Sequence, residues 1–451
     1  MKKQARDLHK ALRARAPDAL ARLRAEHPRF KNDSEGEAAL SDAQLVVARE
    51  YGYPSWPRLK TAVEDLAGHA VDEVDRFMSA VRAGRHDEAR GLLERDRTLV
   101  QTYDRHSFDA NPVTLAVARQ DLKMVDLLLE AGGDINRRSR WWAGGFSPLH
   151  AVFWSSNTKE LARELVARGA VVDAHSAAGL GDLRRLAELL DANPRLVHER
   201  GGDGQFPLHY AATPEVAAFL LARGAEIDAR DLDHGGAAAQ FALKDRHAVA
   251  RFLIDRGAKA DLFMACVLGD LRLVRELYEA DPSRLDARVN EGEFVAEGSD
   301  GGHIYCYVLA GSQPLHAAAA ANRVEVVEWL LDRGANPNAG AERERETPLH
   351  ACAWHGSVAG ARALLARGAD PELQPKHAYD NTPMGWAIVG GMLEMVELFI
   401  EHGVKLRDGY LILAREGVEG KHQWKKGTPI ETRKRVLERI EAYAARGGAG
   451  A

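Results

Sequence analysis

One short motif, returning at a nearly fixed interval, limits what this chain can fold into. Ser147-Pro148-Leu149-His150, Phe206-Pro207-Leu208-His209, Gln313-Pro314-Leu315-His316 and Thr347-Pro348-Leu349-His350 open four segments alike. Asn111-Pro112-Val113-Thr114 and Thr382-Pro383-Met384-Gly385 are degenerate versions. Pro112 and Pro148 are 36 residues apart, Pro314 and Pro348 are 34, and Pro348 and Pro383 are 35. Roughly fifteen residues after each start comes a Leu-rich run, such as Asp126-Leu127-Leu128-Leu129, Trp329-Leu330-Leu331 or Ala363-Leu364-Leu365, where the second helix of a two-helix unit belongs. A glycine follows each run: Gly132, Gly169, Gly224, Gly334, Gly368 and Gly403. Gly257 closes a further unit that has lost its Pro-Leu-His start.

Each piece has a physical role. Ser or Thr caps a helix, and Pro at the first helical position has no amide hydrogen to waste. The second helix carries the apolar stripe that must be buried. The glycine takes the left-handed conformation that ends it. A unit this small cannot cover its own apolar face, so neighbours must stack.

A second unit type is interleaved. Ala83-Gly84-Arg85, Leu180-Gly181-Asp182-Leu183 and Leu268-Gly269-Asp270-Leu271 each lead into a helix. Short exits follow at Asp96-Arg97-Thr98-Leu99, Asn193-Pro194-Arg195-Leu196 and Asp281-Pro282-Ser283-Arg284-Leu285. Gly84 to Gly181 is 97 residues and Gly181 to Gly269 is 88, a super-period of about three repeats.

Start motif, short helix, Leu run and closing glycine recurring together resemble the ankyrin repeat, over roughly residues 75–407. The alternation of the two unit types is similar to that of many bacterial ankyrin-repeat proteins. The resemblance implies an all-α solenoid of about ten repeats. Residues 1–73 are expected to form a helical N-terminal cap, 74–407 the array, and 408–451 a C-terminal capping helix and tail. In the cap, Ala5–His27 has a helical pattern divided at Pro17. Ser41-Asp42-Ala43-Gln44 reads as another helix start. The turn Tyr51-Gly52-Tyr53-Pro54-Ser55-Trp56-Pro57 is expected to plug the first repeat with its aromatics. At the other end, Thr432–Ala445 sets Val436, Leu437, Ile440 and Tyr443 on one face.

The strongest break in the period is an insertion at 290–312. Acidic residues (Glu291, Glu293, Glu297, Asp300) precede Gly301-Gly302 and then His303-Ile304-Tyr305-Cys306-Tyr307-Val308-Leu309. This reads as one extended finger hairpin turning at the two glycines. A smaller departure, Arg140-Trp141-Trp142-Ala143-Gly144-Gly145-Phe146, puts two tryptophans in a finger. Either the neighbouring finger or a ligand must cover them.

The resemblance also implies that the residues four and five after the motif His face the concave groove. Here they are Trp154 and Ser155, Ala320 and Ala321, and Trp354 and His355. It implies that His150, His209, His316 and His350 hydrogen-bond backbone between adjacent repeats. With finger residues added, the candidate ligand-binding set is Trp142, Trp154, Trp354, His355, Tyr379, His377, Tyr305 and His303. Trp and Tyr are common at binding hot spots.

Two functions fit. One is a binding scaffold that holds a protein or an extended ligand in its groove. The other is a small-molecule enzyme (a lyase, isomerase or cyclase) whose pocket the 290–312 insertion closes, with His355 as the candidate catalytic base. The motifs of serine hydrolases, P-loop nucleotide enzymes and zinc proteases are absent. Gly202-Asp203-Gly204 lacks the third glycine of a dinucleotide fingerprint. Asp231-Leu232-Asp233-His234-Gly235-Gly236 begins like a calcium loop but has Ala242 where the bidentate Glu belongs. No metal ligands and no cofactor are expected.

Charge narrows the partners. The net charge is −5, yet residues 1–30 carry +6 and residues 421–451 carry +5, leaving −16 between them. An acidic array repels phosphate backbones, so nucleic acid along it is not expected. No apolar run reaches the roughly 18 residues of a membrane helix, and the N-terminus lacks the apolar core of a secretory signal. Three cysteines, none in a CxxC pair, point to a reducing cytoplasm.

Overall fold

The computed structural model describes residues 2–30, 38–60, 73–154, 158–289, 311–341, 346–374, 382–421 and 428–447. They are helical apart from turns and loops, with a single isolated bridge between Asp104 and Ala110. The chain divides into two compact units, and among the described residues one holds those up to Gly235 and the other those from Gly236.

The first unit begins with helices Lys2–Arg13, Pro17–Glu26 and Leu40–Glu50. Pro17 does divide the first pattern, because a proline can open a helix but not continue one. The third helix starts earlier than the sequence suggests. Asp42 is its third residue, and its carboxylate accepts the Ala39 N–H at 2.7 Å. These helices close over their own core of Leu8, Leu12, Leu23, Val46, Val47 and Leu59. Tyr53 and Trp56 pack against that core, so the aromatic turn seals the N-terminal helices where it was expected to plug the first repeat.

The repeats follow as paired short helices. Glu73–Ala83 pairs with His86–Arg95, Pro112–Ala118 with Leu122–Glu130, and Ala174–Leu180 with Leu183–Ala192. Phe77, Met78, Leu92, Met124, Leu128, Leu149 and Leu165 fill a core shared from Glu73–Ala83 through the repeat of Leu149 and Leu165. One repeat departs from the pattern: its first helix is only a 3₁₀ turn, His150–Trp154, against the α-helix that Pro148 predicts. Another, Pro207–Tyr210, is cut short because Thr213 and Pro214 already start the next helix.

In the second unit the stacking runs in two rows. Pro314–Ala320 packs on Pro348–His355, which packs on Pro383–Gly390, which packs on Asp408–Val418. Val324–Asp332, Val358–Ala366 and Leu393–Glu401 form the parallel row. Ile430–Ala445 covers the last members of both rows with Val436, Ile440 and Tyr443, so the C-terminal segment contributes two helices and not one. The Tyr443 hydroxyl donates to the Val404 carbonyl at 2.9 Å.

The insertion at 290–312 lies outside the described residues except at its C-terminal end, Gly311 and Ser312. There the Val289 N–H donates to Ser312 O at 3.0 Å and the Gly311 N–H to Val289 O at 2.8 Å, so the two sides of the insertion are pinned together.

Candidate functional site

The motif histidines are helix caps. His209, His316 and His350 are each the third residue of a short helix, and His150 opens its 3₁₀ turn; in all four, Nδ1 accepts the N–H of the residue before the proline. The distances are 3.4 Å for His150, 3.2 Å for His209 and 3.1 Å for both His316 and His350. The histidine thus does what a Glu does at that position of a capping box. Where it is missing, the residue before the proline caps directly. Asn111 accepts from the Thr114 N–H at 3.0 Å, and Thr382 from the Gly385 N–H at 3.1 Å. Ser or Thr was expected in that role, and the Ser147 hydroxyl, which accepts the His150 N–H at 3.3 Å, fills it as well.

The other ring nitrogen varies. His316 Nε2 donates to Glu346 O at 3.0 Å, the cross-repeat backbone bond the resemblance implies. Burial holds its pKa down at about 4, so the ring is neutral at pH 7. His150 departs from the expectation. Its Nε2 lies 3.1 and 3.0 Å from the two oxygens of the Asp173 carboxylate, a side chain where backbone was expected.

Asp173 in turn accepts from the Ser176 N–H and hydroxyl at 2.9 and 2.6 Å, and from Arg138 at 3.1 Å. Burial works against its charge, but the contact from His150 and the other donors win, and its pKa falls well below the carboxylate range. His175 lies beside this pair. Its Nε2 sits between the carbonyls of Glu199 (3.0 Å) and Gln205 (3.1 Å), and burial lowers its pKa to about 4. Tyr210 stands edge-on to His175, with ring centres 5.5 Å apart.

A second polar cluster joins two fingers. Asp203, with positive φ, faces Asp233 and His234, and its carbonyl accepts the N–H groups of Leu232 and Asp233. Burial, reinforced by the Asp233 charge, raises the Asp203 pKa far above the carboxylate range. His234 is also raised: its hydrogen bond to Asp231 and the nearby carboxylates outweigh the burial that opposes them. The Asp231–Gly236 segment is therefore a polar finger. The partner that completes it lies 28 residues upstream of Asp231, where no local motif points.

The finger tryptophans have separate fates. Trp141 is flanked by Phe108 of the preceding finger (5.2 Å between ring centres), and the Arg58 guanidinium lies 5.5 Å from its ring. Trp142 remains 56% exposed, with Phe108 48% exposed nearby. Of the expected groove residues, Trp354 is half-buried and edge-on to Trp386 at 5.6 Å, and His355 is exposed at the end of its helix. Ala320 and Ala321 are half-buried. Trp154 ends the 3₁₀ turn, and its side chain is not among those described. Tyr305, His303, His377 and Tyr379 lie outside the described residues. A cavity of about 300 Å³ opens between His198, Phe206, His209 and Glu226, at none of the expected positions.

A family model of three ankyrin repeats matches residues 262–375, and a model of the single ankyrin repeat matches 203–232. The chain contains ankyrin repeats. Among curated proteins, this ankyrin-repeat chain is 32% identical over 186 residues to "Probable E3 ubiquitin-protein ligase XBOS32" of Oryza sativa subsp. japonica. It is 30% identical over 183 residues to "E3 ubiquitin-protein ligase XBAT32" of Arabidopsis thaliana. The matches cover 36% of this chain in both cases, and 37% and 36% of the relatives. The chain thus spans little more than a third of each relative's length. Among the described residues, no helix of this ankyrin-repeat protein is long and apolar enough to cross a membrane.

Proposed function

We propose that the chain is a protein-recognition scaffold whose binding face is built from finger and first-helix side chains of its repeats. Ankyrin repeats generally mediate protein–protein interaction. The observation that carries the reading is Trp142, a residue type common at hot spots, left 56% exposed on a finger whose other aromatics are packed. Rigid, half-covered aromatics lose little entropy on binding. Trp354 and His355 supply a comparable surface in the second unit. The ligase activity named for the plant relatives belongs to proteins that this chain matches over little more than a third of their length, and only the recognition role of the repeats is carried over here. A reducing cytoplasm suits the buried free thiols of Cys266 and Cys352.

The test is affinity capture from cell extract followed by quantitative binding with the recovered protein. Trp142→Ala is expected to weaken binding at least about tenfold with the helical circular dichroism unchanged. Undiminished binding by both Trp142→Ala and Trp354→Ala would overturn the assignment of these surfaces.

A further inference from the structure

We propose that His150, Asp173 and His175 form a binding site for a divalent transition metal, with zinc the best chemical match, joining two successive repeats of the first unit. The coordinating atoms these residues offer lie within 4.8 Å of one another. Two imidazoles and one carboxylate are a borderline-soft donor set that suits zinc and leaves a fourth position for water.

His175 carries the argument. It is fully buried, and its Nε2 is flanked by two carbonyl oxygens. The ring proton therefore sits on Nε2, and Nδ1 keeps a bare lone pair. That Nδ1 is buried and has no hydrogen-bond partner. Buried polar atoms without partners are rare and require a reason. A histidine that donates one N–H to backbone carbonyls and offers its other nitrogen is how metal-bound imidazoles are held.

The repeats themselves supply a control. The Asp261 repeat is of the same type, and Asp173 and Asp261 cap equivalent helices 88 residues apart. The position of His175 is there taken by Phe263, also fully buried. The earlier repeat of this type, 97 residues upstream, puts Met78 there, again buried. The fold is thus satisfied by an apolar side chain, and an imidazole at 175 gives up that packing. The repeat that supplies His150 is also the one whose first helix is reduced to a 3₁₀ turn, so a metal crosslink would replace missing helical structure.

The geometry requires little change. Ligand atoms around a tetrahedral zinc stand roughly 3.3 Å apart. His150 Nε2 and the Asp173 oxygens are already 3.0 and 3.1 Å apart. His175 must close by an amount on the order of 1–2 Å. His150 Nε2 must present its lone pair, so the proton it now shares with Asp173 moves to Nδ1. The contact given up is the one from the Ser147 N–H, which at 3.4 Å is the longest of the four motif-histidine caps. Protons balance, since a neutral ring stays neutral and only changes tautomer.

The full chain, stripped with a chelator, is titrated with zinc chloride by calorimetry and with cobalt chloride by visible absorption. Two variants accompany it. His175→Phe installs the residue of the sister repeat, and His150→Gln keeps a side chain able to accept the Ser147 N–H. The expected result is a saturable zinc equivalent and a low-symmetry cobalt spectrum in the parent chain. Both are lost, or weakened at least about tenfold, in each variant that retains its helical circular dichroism. Zinc should also raise the melting temperature of the parent but not of the variants. No saturable binding by the parent, or undiminished binding by either folded variant, would overturn the proposal.

Discussion

His316 shows how one motif residue serves two purposes. Its Nδ1 caps its own helix and its Nε2 reaches the next finger, so the ring must stay neutral to accept on one side and donate on the other. Its folded pKa of about 4 lies below the ordinary value of 6.5. The unfolded chain therefore takes up this proton first as pH falls. The stability contribution is complete above pH 6.5 and is lost progressively between pH 6.5 and 4, to a total of about 3 kcal/mol. Urea unfolding of the parent and of His316→Gln at pH 7 and pH 4.5 should show the variant losing less stability across that interval. Equal losses would mean that His316 is not the buried neutral group described. Pro-Leu-His was readable as a helix start, and Ser147 and Thr382 do cap through their hydroxyls, but the second cap made by the motif histidine was not foreseen. The residue before the proline is Phe206 or Gln313 in two repeats, and neither makes a side-chain cap.

At the scale of elements, the fingers are where the regular period gives way to specific contact. Gly132 and Gly144 both have positive φ, but for different reasons. Gly132 ends a helix in open space, so an alanine there meets nothing and bears only the backbone strain of about 1 kcal/mol. Gly144 lies against the next finger, and a Cβ at that position would collide with the Gly201 carbonyl oxygen. Gly144→Ala should therefore cost at least ~2 kcal/mol in chemical denaturation, clearly more than Gly132→Ala. Similar costs for the two would show that the fingers are not in contact there. The same closeness explains the Trp141-Trp142 pair. The sequence left two covers open, and the neighbouring finger took Trp141 while leaving Trp142 outside.

At the scale of the whole molecule, a repeat array is held by nearest neighbours, so its end repeats need a cover. Ile430–Ala445 supplies one, and Tyr443 and the buried Arg433 tie it to Val404 and Val389 through backbone carbonyls. A chain ending at Gly420 should lose roughly 5–10 °C in melting temperature and expose apolar surface to a hydrophobic dye. An unchanged melting temperature would favour a role for this helix in partner binding over capping.

The periodic sequence by itself determined the repeat, its two helices, the glycine stops and the buried Leu stripe. Those features follow from contacts a few residues apart, or one repeat apart, which a fixed period encodes. Only the tertiary structure decided that Asp203 meets Asp233 and His234, that His150 finds Asp173 and not a carbonyl, and that His175 has an idle nitrogen. Such meetings depend on how the fingers between helices run, and a finger's path is set by close backbone contact and turn geometry, which hydrophobic spacing does not record.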